Sequence, residues 1–173
     1  MALLRRFLVA ERPTLLDNGV RLRGLGRAQD LPTETAAVLR ETEALTAACD
    51  RMTLHLALSY GGRQELVDAA RALVEEAAAG RIGPEAVDEA ALAARLYDPA
   101  MPDPDLVVRT AGEQRLSNFL LWQASYAEFH FTEVLWPEFR REHLLAALRD
   151  YHRRERRFGR VPGAGAAAPP PRG

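Results

Sequence analysis

Met52-Thr53-Leu54-His55-Leu56-Ala57-Leu58-Ser59-Tyr60-Gly61-Gly62-Arg63 is the stretch that decides the fold class. Its first eight residues form an apolar run of strand length, broken only by small or polar side chains, and the glycine pair then allows a tight turn. From about Arg63 to Ala79, Leu66, Val67, Ala70, Leu73, Val74 and Ala77 recur at helical spacing, and Gly80 ends the run. A strand that feeds directly into an amphipathic helix is the unit of a parallel sheet. Upstream, residues 2–16 read as a helix that Pro13 kinks or ends, 20–25 as a short strand weakened by Gly24, and Pro32 opens a helix to about Ala48. Downstream, a helix is expected from Gly83-Pro84 toward Tyr97, and Pro99, Pro102 and Pro104 stiffen the connection to a strand at Leu106-Val107-Val108-Arg109. A turn at Thr110-Ala111-Gly112, a helix from about Leu116 to Gln123, a strand over 129–134 and a helix over 138–157 complete the pattern. The expected class is α/β, a mostly parallel sheet covered by helices in one domain over residues 1–160. The Ala/Gly/Pro-rich residues 161–173 are expected to form a disordered tail.

Composition narrows the function. The chain has 173 residues, 47% of them apolar and 27% charged, and all 23 basic residues are arginine against 24 acidic ones. A net charge of −1 speaks against a general nucleic-acid binder or a polybasic membrane segment. The absence of lysine excludes Schiff-base chemistry and the lysine of the common phosphate loop. Phosphate, if recognised, falls to arginine and backbone amides. The single cysteine, Cys49, forms no internal disulfide and suits a reducing compartment. Glu11 and Arg12 interrupt the leading apolar residues before a signal peptide develops, and no apolar stretch reaches bilayer length. A soluble, cytoplasmic protein with at most peripheral membrane contact is expected.

Ligands of parallel sheets bind at the carboxyl ends of the strands. Arg109 stands at such an end, with Arg115 and Ser117 placed by the sequence in the first turn of the next helix. Two guanidinium forks, a hydroxyl and the free amides of a helix N-terminus can converge on one polyanion such as a diphosphate, with Glu113 orienting the arginines. The bland alternative is a helix cap with surface ion pairs. Glu128, just before the strand at 129, could hold a magnesium ion bridging diphosphate oxygens, or could simply be solvated. The four histidines show no metal-ligand spacing, Ser59 lies in no Gly-x-Ser-x-Gly elbow, and Arg153 to Arg157 read by default as a solvated helix end.

Taken together, Leu58 to Arg63, Pro104 to Gln123, Phe131 to Phe139 and Arg156-Arg157-Phe158-Gly159 resemble the cis-prenyltransferase family in four ordered blocks, and the likeness runs from about Leu3 to Gly159. The resemblance implies a homodimer that uses magnesium to add isopentenyl diphosphate, with cis geometry, to an allylic diphosphate of the farnesyl type. It implies that Arg109, Arg115 and Ser117 bind the diphosphate of isopentenyl diphosphate, that Glu128 binds magnesium, and that Glu113 and Asn118 support the site. Arg157 and Gly159 match the element that completes the partner subunit's site. The leading Asp-Gly-Asn-Gly-Arg-Trp-like loop of the family, with its catalytic Asp, has no counterpart here, and Asp17-Asn18-Gly19 reads as an ordinary turn. Roughly a third of a full-length member is therefore expected to be absent, and no catalytic residue is assigned. A shortened reading frame, a non-catalytic partner subunit in a heterodimer with a full-length homologue, and a degenerate remnant are the three readings this leaves.

Overall fold

Pro13 splits the leading helical run rather than bending it. In the computed structural model, which describes residues 1–154, α1 (Ala2–Ala10) stops at Glu11 and α2 (Arg12–Asp17) restarts with Pro13 in its first turn, where a missing N–H costs nothing. The described residues fall into two units, 1–102 with 116–122 and 103–115 with 123–154.

In the first unit, β1 (Val20–Leu25) pairs in parallel with β2 (Met52–Ala57), Val20 opposite Met52 and Leu25 opposite Ala57. The intervening helix α3 (Thr33–Thr46) packs on α1 and β1, around a core of Leu8, Leu15, Val20, Leu22, Leu31, Ala36 and Leu39. Its buried face also carries Thr35, Thr42 and Thr46, all with no exposed surface. Their use is local: Thr46 Oγ1 accepts the Leu22 N–H at 3.0 Å, and Glu43 Oε1 accepts the Gly24 N–H at 2.7 Å. Side chains of α3 thus satisfy the β1 edge that faces away from β2, which would otherwise offer unpaired amides. Nothing among the described residues does the same for the outer edge of β2, where Met52 and Leu54 stay 54% and 37% exposed. None of the residues of β2, expected to belong to a sheet covered by helices, is buried.

The helix α4 (Gly62–Ala78) follows, and Gly80, at φ +68°, closes it as expected. The long helix expected from Gly83 toward Tyr97 is replaced by one 3₁₀ turn (Pro84–Ala86) and a short α5 (Glu89–Ala93). Val87 is extended, and the Asp88 side chain accepts the Ala91 N–H at 2.7 Å, so a capping residue restarts the helix in mid-run.

The second unit pairs β3 (Leu106–Arg109) in parallel with β4 (Glu128–Phe131), Leu106 opposite Glu128, and packs α6 (Arg141–Arg153) on β4. The last strand is shorter than residues 129–134, because the Thr132 and Val134 carbonyls turn back onto the loop after β3. Trp136–Glu138 form a 3₁₀ turn, so α6 starts later than residue 138. The expected continuation to 157 and the expected tail at 161–173 lie outside the described residues. The α/β class holds, with one two-stranded parallel ladder in each unit.

Candidate functional site

Arg109, Glu113 and Arg115 meet at the carboxyl end of β3. Glu113 Oε2 lies 3.7 Å from Arg109 Nη2 and pairs closely with Arg115 Nη2. Arg109 Nε is buried with no hydrogen-bond partner, while Arg115 is 69% exposed. Two arginines share the Glu113 carboxylate, and Arg109 Nε remains a spare buried donor beside a turn that the Glu133 carboxylate also borders.

The turn between them is built differently from the sequence expectation. Ala111 and Gly112 adopt φ of +59° and +65°, and a Cβ on Gly112 would stand 2.6 Å from a Glu133 carboxylate oxygen, so a side chain there would be strained and would displace Glu133. The amides of this turn are not free: Ala111 N–H donates to Val134 O at 2.9 Å and Gly112 N–H to Thr132 O at 3.0 Å.

No helix spans Leu116 to Gln123. Ser117, Asn118 and Leu120 have φ of +54°, +61° and +47°, and left-handed residues so closely spaced cannot lie in an α-helix. Asn118 supplies the reason. Its backbone oxygen accepts the Gly62 N–H and its Oδ1 the Arg63 N–H, both at 2.8 Å, so it caps the start of α4 from far along the chain. The helix N-terminus expected beside Arg115 does not exist, and the guanidinium groups are left to bind any anion. Ser117 and Asn118 belong to the first unit, and Arg109, Glu113 and Arg115 to the second.

Glu128 opens β4 and faces α6. Its Oε2 accepts from Arg154 Nη1 at 2.9 Å, Arg154 Nη2 reaches Asp150 Oδ2 at 2.6 Å, and that oxygen also meets His130 Nδ1 at 2.9 Å. Among the described residues no group of three Asp, Glu, His or Cys side chains is placed to hold a metal. One carboxylate already neutralised by a guanidinium does not by itself suit magnesium, which takes near-octahedral oxygen coordination. The matched positions Arg157 and Gly159 lie outside the described residues.

Against known proteins, the Prenyltransf family model, that of undecaprenyl diphosphate synthase, matches residues 1–159. The chain belongs to this family. It is 46% identical over 157 residues to Isoprenyl transferase 2 of Bradyrhizobium diazoefficiens, covering 91% of this chain and 62% of that protein. It is 51% identical over 148 residues to a trans,polycis-polyprenyl diphosphate synthase, (2Z,6E)-farnesyl diphosphate specific, of Thermobifida fusca, covering 86% of this chain and 52% of that one. The crystal structure of lavandulyl diphosphate synthase from Lavandula x intermedia in complex with dimethylallyl diphosphate superposes with a TM-score of 0.89 at 36% identity, over 92% of this chain and 70% of that chain. The chain spans about half to three fifths of the length of these curated relatives.

A polar network in the first unit escaped the sequence reading. Tyr60, just after β2, donates to Glu65 Oε2 at 2.5 Å, and Glu65 Oε1 accepts the Tyr97 N–H at 3.0 Å. Tyr97 Oη in turn donates to Asp68 Oδ2 at 2.7 Å, and Tyr60 stands edge-on to both Tyr97 and Phe119. Burial, reinforced by the carboxylate partners, pushes both phenols above their ordinary pKa, and the Tyr97 hydroxyl holds Asp68 below the usual carboxylate range. The cross-strand neighbours Arg23 and His55 both meet Asp98 Oδ2, at 3.0 and 2.9 Å. These bonds fix the connection that leads into the Ser59-Tyr60-Gly61-Gly62 turn. Local spacing signalled only the partners of Asp68 along α4, Gln64 at i,i+4 and Arg71 at i,i+3.

Proposed function

We propose that this chain carries the isopentenyl-diphosphate-binding part of a cis-prenyltransferase, with Arg109 and Arg115 gripping the diphosphate and Glu113 setting the arginine geometry, a set to which the family resemblance alone adds Ser117. The observation that carries this reading is the buried, unpartnered Nε of Arg109 beside a second arginine that shares the Glu113 carboxylate with it. A buried donor without an acceptor costs about 1–3 kcal/mol, which a diphosphate oxygen relieves. Guanidinium forks also match that oxyanion geometry, and the lysine-free composition leaves the task to them.

The reaction served is condensation of isopentenyl diphosphate with an allylic diphosphate such as farnesyl diphosphate to a cis-polyprenyl diphosphate, in a cytoplasmic homodimer, the state that the family resemblance of Arg157 and Gly159 implies. Magnesium, which the resemblance implies, needs ligands beyond Glu128. The sequence holds no counterpart of the family's leading Asp loop, so nothing in it positions the allylic leaving diphosphate. The 173-residue chain is therefore expected to bind isopentenyl diphosphate weakly and to turn over little. Calorimetric titration with isopentenyl diphosphate, alongside an incorporation assay with farnesyl diphosphate and magnesium, tests both halves. Robust polyprenyl synthesis by this chain refutes the second, and absence of saturable binding refutes the first.

A further inference from the structure

We propose that Asn118 is a positioning residue for the diphosphate site, clasping the start of α4 so that residues 117–120 take the left-handed course that leaves Ser117 exposed. The inference rests on the proposed diphosphate site only in taking Ser117 as one of its ligands. Three of the four residues from Ser117 to Leu120 have positive φ, and only Asn118 is of a type that favours it. Backbone of this kind persists where neighbouring groups impose it, and it gathers at ligand clamps. Here the imposing group is the first turn of α4, whose Gly62 and Arg63 amides reach the Asn118 backbone oxygen and Oδ1 at 2.8 Å each. Beyond Asn118 the segment is held again, with Phe119 edge-on to Tyr60 and Leu120 buried.

The Tyr60-Gly61-Gly62 turn is shaped to receive this segment. Gly61 has φ −160° and ψ 125°, extended backbone open to any residue, and Gly62 already lies in α4, so neither glycine is needed for its backbone conformation. Space is the reason. A Cβ on Gly61 would stand 2.8 Å from Asn118 Nδ2, and one on Gly62 would stand 2.7 Å from Leu121 Cγ and 3.0 Å from the Leu121 nitrogen. Gly61 is also the N-cap of α4 and makes no side-chain cap bond. A serine or aspartate there would cap the helix locally, whereas glycine leaves the capping to a residue 55 positions beyond Arg63. Capping alone would not call for two glycines; seating Asn118 and Leu121 against the turn does.

Titration of the purified full chain with isopentenyl diphosphate in EDTA, with melting curves alongside, tests the clasp. Ser117→Ala should weaken binding about three- to tenfold, the size of one hydrogen bond. Asn118→Ala should weaken it by the same factor, and Ser117→Ala/Asn118→Ala by no more than Ser117→Ala alone, because Asn118 acts through Ser117. Gly61→Ser separates positioning from capping: its hydroxyl gives α4 a local cap while its Cβ displaces the Asn118 side chain. Binding by that variant should fall by the same factor, with a melting temperature within about two degrees of wild type. Wild-type affinity in Asn118→Ala or in Gly61→Ser overturns the proposal, as do additive losses in the double variant. If Asn118→Ala does not fold, Gly61→Ser decides, and a Gly61→Ser that melts far below wild type shows that the glycine serves α4 itself and overturns the proposal too. Unchanged binding by Ser117→Ala removes Ser117 from the site and this inference with it, yet leaves the role of Arg109 standing; absence of binding by wild type removes both.

Discussion

The second unit contains two arginine–carboxylate clusters built to opposite ratios. At the end of β3, Arg109 and Arg115 share Glu113 and leave a buried donor unsatisfied; between β4 and α6, Glu128 and Asp150 share Arg154. The same residue types therefore give one site with a buried donor to spare for an anion and another that is closed on itself. Whether a guanidinium is a binding group or a strut is decided by how many carboxylates reach it, not by its presence in a motif.

Breaking the first cluster should have the largest effect. Arg109→Ala removes the buried donor and should weaken isopentenyl diphosphate binding by about 10- to 100-fold by calorimetry, the size of one or two charge-assisted hydrogen bonds. Arg115→Ala, in a side chain that is mostly exposed, should cost only about three- to tenfold. If Arg115 matters more than Arg109, the burial argument is wrong. The second cluster should respond in stability and not in substrate binding: Arg154→Gln should lower the melting temperature by about one or two degrees and leave isopentenyl diphosphate affinity in EDTA unchanged.

A smaller, pH-dependent contrast separates the units. Asp68 in the first unit and Asp150 in the second are both held below the carboxylate range, so each contributes stability above its ordinary pKa near 4 that is lost as the pH falls through the depressed value. Tyr60 and Tyr97 are shifted the other way. Their contribution is complete below the usual phenol value of about 10 and is lost as the pH rises beyond it. Alkaline melting curves of Tyr60→Phe/Tyr97→Phe should therefore lose the drop above pH 10 that wild type shows, whereas Arg154→Gln should retain it.

The strand-to-helix junction at β2 and α4, the core leucines on α1 and β1 and the strand ending at Arg109 were legible because periodicity and glycine placement are local properties. The segment after Arg115 was not. Its apolar residues Leu116, Phe119 and Leu120 imitate a helix, and only the distant amides of Gly62 and Arg63, bound by Asn118, explain why the chain takes left-handed turns instead. The sealing of β1 by Thr46 and Glu43 was hidden for the same reason, since a threonine inside a helix carries no sign of a strand amide that it will satisfy. At the site, residue identities were readable and their arithmetic was not: Arg154 gave no signal in spacing that it would meet Glu128.

Titration of the purified chain with isopentenyl diphosphate in EDTA, for wild type and Arg109→Ala, tests the central claim most directly. The spare Arg109 donor predicts saturable, metal-independent binding by wild type and its loss in the variant, with both proteins folded. Equal binding by the two proteins, or binding by wild type only after a divalent metal is restored, would contradict it.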